Sequence, residues 1–172
     1  MILLFKEMNY QTLSHTLPIF INPNSEALIL GSFPSVKSRE VDFYYGHKQN
    51  RFFLTLSKIF NEEEPISIEE RKDFLYRHKI ALYDVIESCS IIGSSDSSIK
   101  DVVPFDIENT LKQYPSIKVI GTTGNKASDL FDKYLKDKVN KDIKVIHLPS
   151  TSPANAKCKL DTLVSEYRKL FE

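Results

Sequence analysis

The chain has 172 residues, 41% of them hydrophobic, with 23 Lys and Arg set against 23 Asp and Glu. That length gives one domain a real core, and a formal charge of zero announces neither nucleic acid nor a membrane surface through a global field. Two cysteines (Cys89 and Cys158) are too few for a zinc or disulfide framework, and neither the short Met1–Phe5 run nor any other segment approaches the roughly 20 apolar residues of a membrane span, so a soluble cytoplasmic protein is expected.

Taken in chain order, the residues up to about Ile21 read as an arm punctuated by Pro18 and Pro23. Ala27–Leu30 is a short apolar run bounded by polar residues, the mark of a buried strand. It opens into Gly31–Phe53, a polar, aromatic-rich stretch with little helix or strand period that carries Lys37, Arg39, Lys48 and Arg51. Within its end, Asn50–Phe60 puts Phe52, Phe53, Leu56, Ile59 and Phe60 on one broad helical face. Glu62–Pro65 is an acidic surface turn, and Ser67–Lys79 begins with the Ser67/Glu70 spacing of a capping box. Ile80–Ile86 is the second expected strand, followed by the polar clusters Ser88–Ser90 and Gly93–Ser98. Asp106–Tyr114 is a short helix. Ile117–Ile120 is the third strand, and Gly121–Asn125 follows it. A helix over Asn125–Val139, a fourth strand over Ile143–Leu148, the cluster Pro149–Asn155 and a helix over Ala156–Phe171 complete the chain.

Strands alternating with helices specify an α/β fold with a parallel sheet covered on both faces. Nothing in the pattern divides the chain, so residues 1–172 are expected to form a single domain. Each strand is followed by a polar cluster. In a parallel sheet those four loops leave from the same edge and converge on one pocket.

The loops carry several candidates, each with two readings. Their hydroxyls and backbone N–H groups can grip a phosphate backbone, or they can cap the helices that follow. Tyr44 and Tyr45 can stack a base, as can Phe52, whereas Phe53 is better read as core. Asn50 can orient a water through its amide or cap the helix behind it, and the two roles are compatible. His47 and His147 can act as acids or bases, or be structural. Asp96, set among small polar residues, can order a water or a neighbouring loop, or simply cap. Lys126 and Lys157 read as ordinary surface residues. No Walker loop, GxGxxG, metal-ligand spacing or Ser-His-Asp order stands out.

GSFPS (Gly31–Ser35) with YYGHKQNRFF (Tyr44–Phe53), SCSIIGSSDSSI (Ser88–Ile99) and LPSTSPAN (Leu148–Asn155) stand in an order that resembles the uracil-DNA glycosylase superfamily, and within it the hypoxanthine-DNA glycosylase branch called family 6. The likeness extends from about Leu17 to the C-terminus. It implies a three-layer α/β/α fold with a short four-stranded, mainly parallel sheet. It implies hydrolysis of the N-glycosidic bond of a deaminated base, hypoxanthine or uracil, in DNA during base excision repair. It implies no metal and no cofactor, DNA as partner, and a monomer. The base must be flipped out of the duplex to be reached. Asn50 matches the water-positioning Asn of that branch, so it is the catalytic candidate. The base-binding candidates are Gly31, Ser32, Phe33, Tyr44, Tyr45, Thr123 and Asn125. The DNA-binding candidates are Ser35, Lys48, Arg51, Ser150, Thr151 and Ser152, with His47 and Asp96 supporting.

Three positions depart from the superfamily pattern. Phe33 stands where many members carry an Asp or Asn. Leu148 stands where many carry a His, with His147 one residue earlier and turned elsewhere by strand alternation. Thr122-Thr123-Gly124-Asn125 replaces an Asn that reads the base edge, so Thr123 or a shifted Asn125 takes that place. Phe33 and Leu148 also keep open a non-catalytic nucleic-acid or nucleotide-binding module on the same scaffold. A hydrolase of free nucleosides is a weaker alternative.

Overall fold

A computed structural model describes residues 9–93 and 95–172. The Met1–Phe5 run and the side chain of Asp96 lie outside the described residues. The central sheet has four strands: β2 (Ala27–Gly31), β3 (Ile80–Asp84), β6 (Val119–Thr123) and β7 (Lys144–Leu148). Their order is β3-β2-β6-β7, and every neighbouring pair is parallel. Leu28 and Ile29 point to opposite faces of β2, yet both are fully buried. Both faces of the sheet are therefore covered, which is the three-layer arrangement the alternation of elements predicts.

The second half of the expected second strand belongs elsewhere. β3 stops at Asp84, and after the single residue Val85 the chain enters β4 (Ile86–Ile91). β4 is the middle of an antiparallel sheet with β1 (Gln11–Ser14) on one side and β5 (Lys100–Pro104) on the other. The N-terminal arm is thus partly a strand, and Ser88-Cys89-Ser90 is strand rather than loop. Its serines read as turn formers, but Cys89, Ser90 and Ile91 are all buried and Thr12 and Leu13 pair across from Ser90 and Cys89. Tertiary pairing overrides local propensity here.

The helices are α1 (Val36–Val41), α2 (Phe52–Phe60), α3 (Ile68–Arg77), α4 (Ile107–Gln113), α5 (Asn125–Tyr134) and α6 (Leu160–Arg168). α1 lies inside the stretch expected to be irregular: Ser35 Oγ accepts the Ser38 N–H at 3.1 Å to start it, and Asp42 ends it in a left-handed conformation. The Ser67/Glu70 capping box is present at α3. α5 stops five residues short of Val139, with a 3₁₀ turn at Lys136–Lys138. α6 begins at Leu160 rather than Ala156, because Pro153–Asn155 forms its own 3₁₀ turn and Lys159 is extended. Among the described residues no helix is long and apolar enough to cross a membrane.

Candidate active site

The C-terminal ends of the four parallel strands bring Gly31, Asp84, Thr123 and Leu148 to one edge. A cleft of about 590 Å³ opens there. Its walls come from the turn after β2, from α1, from the Tyr44–Asn50 segment and from the segment after β7. Gly31, Ser32, Phe33, Ser35, Tyr44 and Tyr45 all line it. So do His47, Asn50, Thr123, Ser150, Thr151 and Ser152.

Asn50 is the most constrained of these. Its Oδ1 accepts the Phe52 backbone N–H at 2.9 Å and the Thr151 hydroxyl at 2.8 Å. A backbone N–H can only donate, so the oxygen end of the amide is fixed toward α2. The NH₂ end is left without a partner among the described residues. Asn50 therefore caps the first turn one residue ahead of Arg51, the formal start of α2, and offers a donor to the cleft. An amide NH₂ holds a water by one lone pair and leaves the other free to attack, but it takes no proton.

The two tyrosines are unequal. Tyr44 is only 4% exposed and its hydroxyl donates to the Pro18 carbonyl at 2.8 Å. Tyr45 has φ +53° and lies flat on Phe52, with ring centroids 3.8 Å apart and planes 8° apart. Its hydroxyl is 3.5 Å from Thr123 Oγ1. Burial pushes both phenols above their ordinary range, so neither is a base near neutral pH. The His47 ring is exposed, with Nδ1 accepting the Gln49 N–H at 3.1 Å.

The last loop is pinned from several sides. Ser150 Oγ accepts from Ser152 N, Ser152 Oγ accepts from Ala154 N, and Tyr167 donates to the Pro149 carbonyl. These hydroxyls are caps, and Ser150 and Ser152 also face the cleft. The capping reading therefore holds for Ser152, the N-cap of the Pro153–Asn155 turn.

Four expected residues are placed differently from the rest. Arg51 does not face the cleft: its guanidinium donates to the Cys158 and Asn155 carbonyls and ties the last loop to α2. Thr151 reaches the cleft wall but is only 2% exposed, and its hydroxyl donates to Asn50, so it steadies Asn50. Lys48 is exposed but does not line the cleft. Asn125 is the first residue of α5, exposed and outside the cleft, which leaves Thr123 as the residue of that loop at the site. Arg51→Met is expected to loosen the last loop and lower DNA affinity while leaving the slope of log affinity against log salt unchanged. Loss of a phosphate contact would instead reduce that slope by about 0.9.

His147 points away from the cleft: Nδ1 is 2.7 Å from Thr122 Oγ1 and Nε2 is 3.2 Å from Asp132 Oδ1. Two residues at the site were not anticipated. Asp84 lines the cleft, and its Oδ2 is 2.8 Å from Nε2 of His15, whose side chain is fully buried. The signal for Asp84 was present, a carboxylate closing an apolar strand. His15 lies 69 residues from it, and no local pattern connects the two.

The family model described as the uracil DNA glycosylase superfamily matches residues 18–171, nearly the whole described chain. The chain belongs to the uracil DNA glycosylase superfamily. It is 34% identical over 113 residues to a hypoxanthine DNA glycosylase from Methanosarcina barkeri, covering 65% of this chain and 72% of that one. It is 32% identical over 139 residues to a hypoxanthine DNA glycosylase from Methanosarcina acetivorans, covering 80% of this chain and 85% of that one. The solution NMR structure of a candidate uracil DNA glycosylase from Methanosarcina acetivorans superposes with a TM-score of 0.78 at 27% identity, covering 94% of this chain and all of the other. The four-stranded parallel sheet with covered faces is thus the superfamily's architecture, and the chain is an enzyme of the DNA glycosylase class.

Proposed function

We propose that this glycosylase removes hypoxanthine from DNA, with uracil as a poorer substrate, and so opens base excision repair of deaminated adenine. The observation that carries the reading is Asn50, locked by two hydrogen bonds at the cleft wall with its NH₂ end unpartnered among the described residues. Both hypoxanthine DNA glycosylases of Methanosarcina support the choice of base.

On this reading the nucleotide swings out of the duplex into the cleft, which costs a few kcal/mol and least at a mismatch such as inosine opposite thymine. Tyr45, backed by Phe52, presents an aromatic wall to the base. Ser35, Ser150 and Ser152 turn their cap hydroxyls and the neighbouring N–H groups to the flanking phosphates. The bond from C1′ to the base breaks first, leaving positive charge on the sugar and negative charge on the base. Water held by Asn50 then adds to C1′ and releases its proton to solvent or to the departing base. No strong base is needed, because the cation is a potent electrophile. Pocket N–H and O–H groups stabilise the departing anion, which is where a glycosylase gains most of its rate.

Single-turnover assays on duplexes holding deoxyinosine, deoxyuridine or deoxyxanthosine test this. Alkali-labile abasic product is expected from deoxyinosine at a rate at least about tenfold above that from deoxyuridine, a discrimination of about 1.4 kcal/mol. Preference for deoxyuridine would overturn the assigned base, and no product from any of the three would overturn the activity.

A further inference from the structure

Arg39 lies in the last turn of α1, between Ser38 and Glu40, and both of those neighbours line the cleft. Its guanidinium carbon stands 5.9 Å from the centroid of the Phe33 ring, itself part of the cleft wall. On the other side its charge reaches the Cys89 thiol of β4. Ile91, two residues on along the same face of that strand, lines the cleft as well. The guanidinium therefore sits at the rim, between the turn after β2 and β4.

This cation has no partner. Its Nε is shielded from solvent without a hydrogen bond, and the group forms no ion pair among the described residues. Other arginines are engaged. Arg51 donates to two carbonyls, Arg71 to the Pro65 carbonyl, and Arg77 to Glu62 and Asp73. Lys37, two residues earlier in α1, places its Nζ 3.4 Å from Glu40 Oε2. Taking part of a guanidinium out of water with nothing to accept its protons is unfavourable, and the face of Phe33 offsets only a fraction of that cost. The Arg39 side chain is half-buried, so its outer edge stays open to a ligand. A planar fork of free donors at the mouth of a DNA glycosylase cleft matches phosphodiester oxygens, which it meets two at a time. With a formal charge of zero the chain has no global field to hold DNA, so such a local contact carries more of the grip.

We propose that Arg39 clamps a backbone phosphate beside the flipped nucleotide and holds the duplex on the α1 side of the cleft. This rests on the proposed function for the presence of DNA and of a flipped nucleotide. Arg39 touches no reacting atom on this assignment. Its work is binding, and the strain of an unpaired half-buried cation is relieved when the phosphate arrives.

The test titrates a duplex whose target deoxyinosine carries a 2′-fluoroarabino sugar, which resists cleavage, between about 50 and 200 mM salt. Arg39→Met keeps the aliphatic stem against Phe33. It is expected to weaken binding roughly tenfold and to reduce the slope of log affinity against log salt by about 0.9. Arg39→Lys keeps the charge without the fork, so it should retain the wild-type slope and part of the affinity. The melting temperature of Arg39→Met should equal or exceed that of the wild type, because the variant removes an unpaired charge from a partly dry place. Duplexes with a single neutral methylphosphonate, moved one position at a time around the target, locate the contact. At one position the substitution should weaken the wild type roughly tenfold and leave Arg39→Met unaffected. Single-turnover release of hypoxanthine at saturating enzyme should stay within about threefold of wild type, which separates grip from chemistry.

An unchanged salt slope in Arg39→Met overturns the proposal, and a lowered melting temperature beside it would assign Arg39 to packing. A methylphosphonate penalty that is equal in wild type and variant at every position overturns it as well, while wild-type cleavage of inosine leaves the glycosylase reading standing. A wild type that cleaves no lesion, yet shows both the slope change and the coupled phosphate, supports the clamp and overturns the glycosylase reading.

Discussion

Asn50→Ala is expected to slow single-turnover hypoxanthine release by about 10²–10³-fold, the range seen when a positioned group at the reacting centre is lost. Binding to an uncleavable inosine duplex should hold, because the side chain is assigned to the water and not to the DNA. The same change removes the acceptor for the Phe52 N–H and strands the buried Thr151 hydroxyl. A stability loss of about 1–2 kcal/mol should accompany it, as for a lost helix cap. Measuring the rate and the melting curve on the same preparation separates the two effects. A rate within threefold of wild type would remove Asn50 from the chemistry and leave it as a cap.

Phe52→Ala should be the most destabilising single change at the site, at about 3–5 kcal/mol for a buried aromatic in a close-packed core. Phe52 is fully buried, meets Phe53 and Tyr167 edge-on, and carries the Tyr45 ring flat on its face. For a chain of this length the melting temperature should fall by roughly 6–20 °C, which calorimetry reads directly. The loss has a second part. Tyr45 is a non-glycine residue in the left-handed region, held there by its surroundings. With Phe52 gone the ring loses its backing, and cleavage measured well below the melting temperature should fall too. Phe52→Leu should restore much of the stability and less of the activity, since an aliphatic side chain fills volume without offering a flat face.

Much of this arrangement is written in local pattern. Apolar runs mark the four parallel strands, and polar clusters after them mark the edge where the cleft opens. The Asn50 assignment rested on its place before an apolar helical face and on the motif around it. What escaped is non-local. Ser88-Cys89-Ser90 has the composition of a turn and becomes strand only because Thr12 and Leu13 come to pair with it. Arg51 and Thr151 look like DNA-facing residues in a polar loop. Their direction is decided by carbonyls and an amide about 100 residues away in sequence. Asn125 was displaced by helix geometry: Gly124, at φ +92°, turns the chain so that α5 starts with Asn125 outside the cleft.

The antiparallel pairing of β1 with β4 reaches beyond its own small sheet. His15 follows β1 directly, and its backbone N–H donates to the Glu87 carbonyl of β4 at 2.7 Å. The same residue places Nε2 at 2.8 Å from Asp84 Oδ2 at the end of the parallel sheet. One residue thus ties the two sheets together at the cleft floor, and a change that undocks β1 from β4 would be felt there before it disturbed the parallel strands.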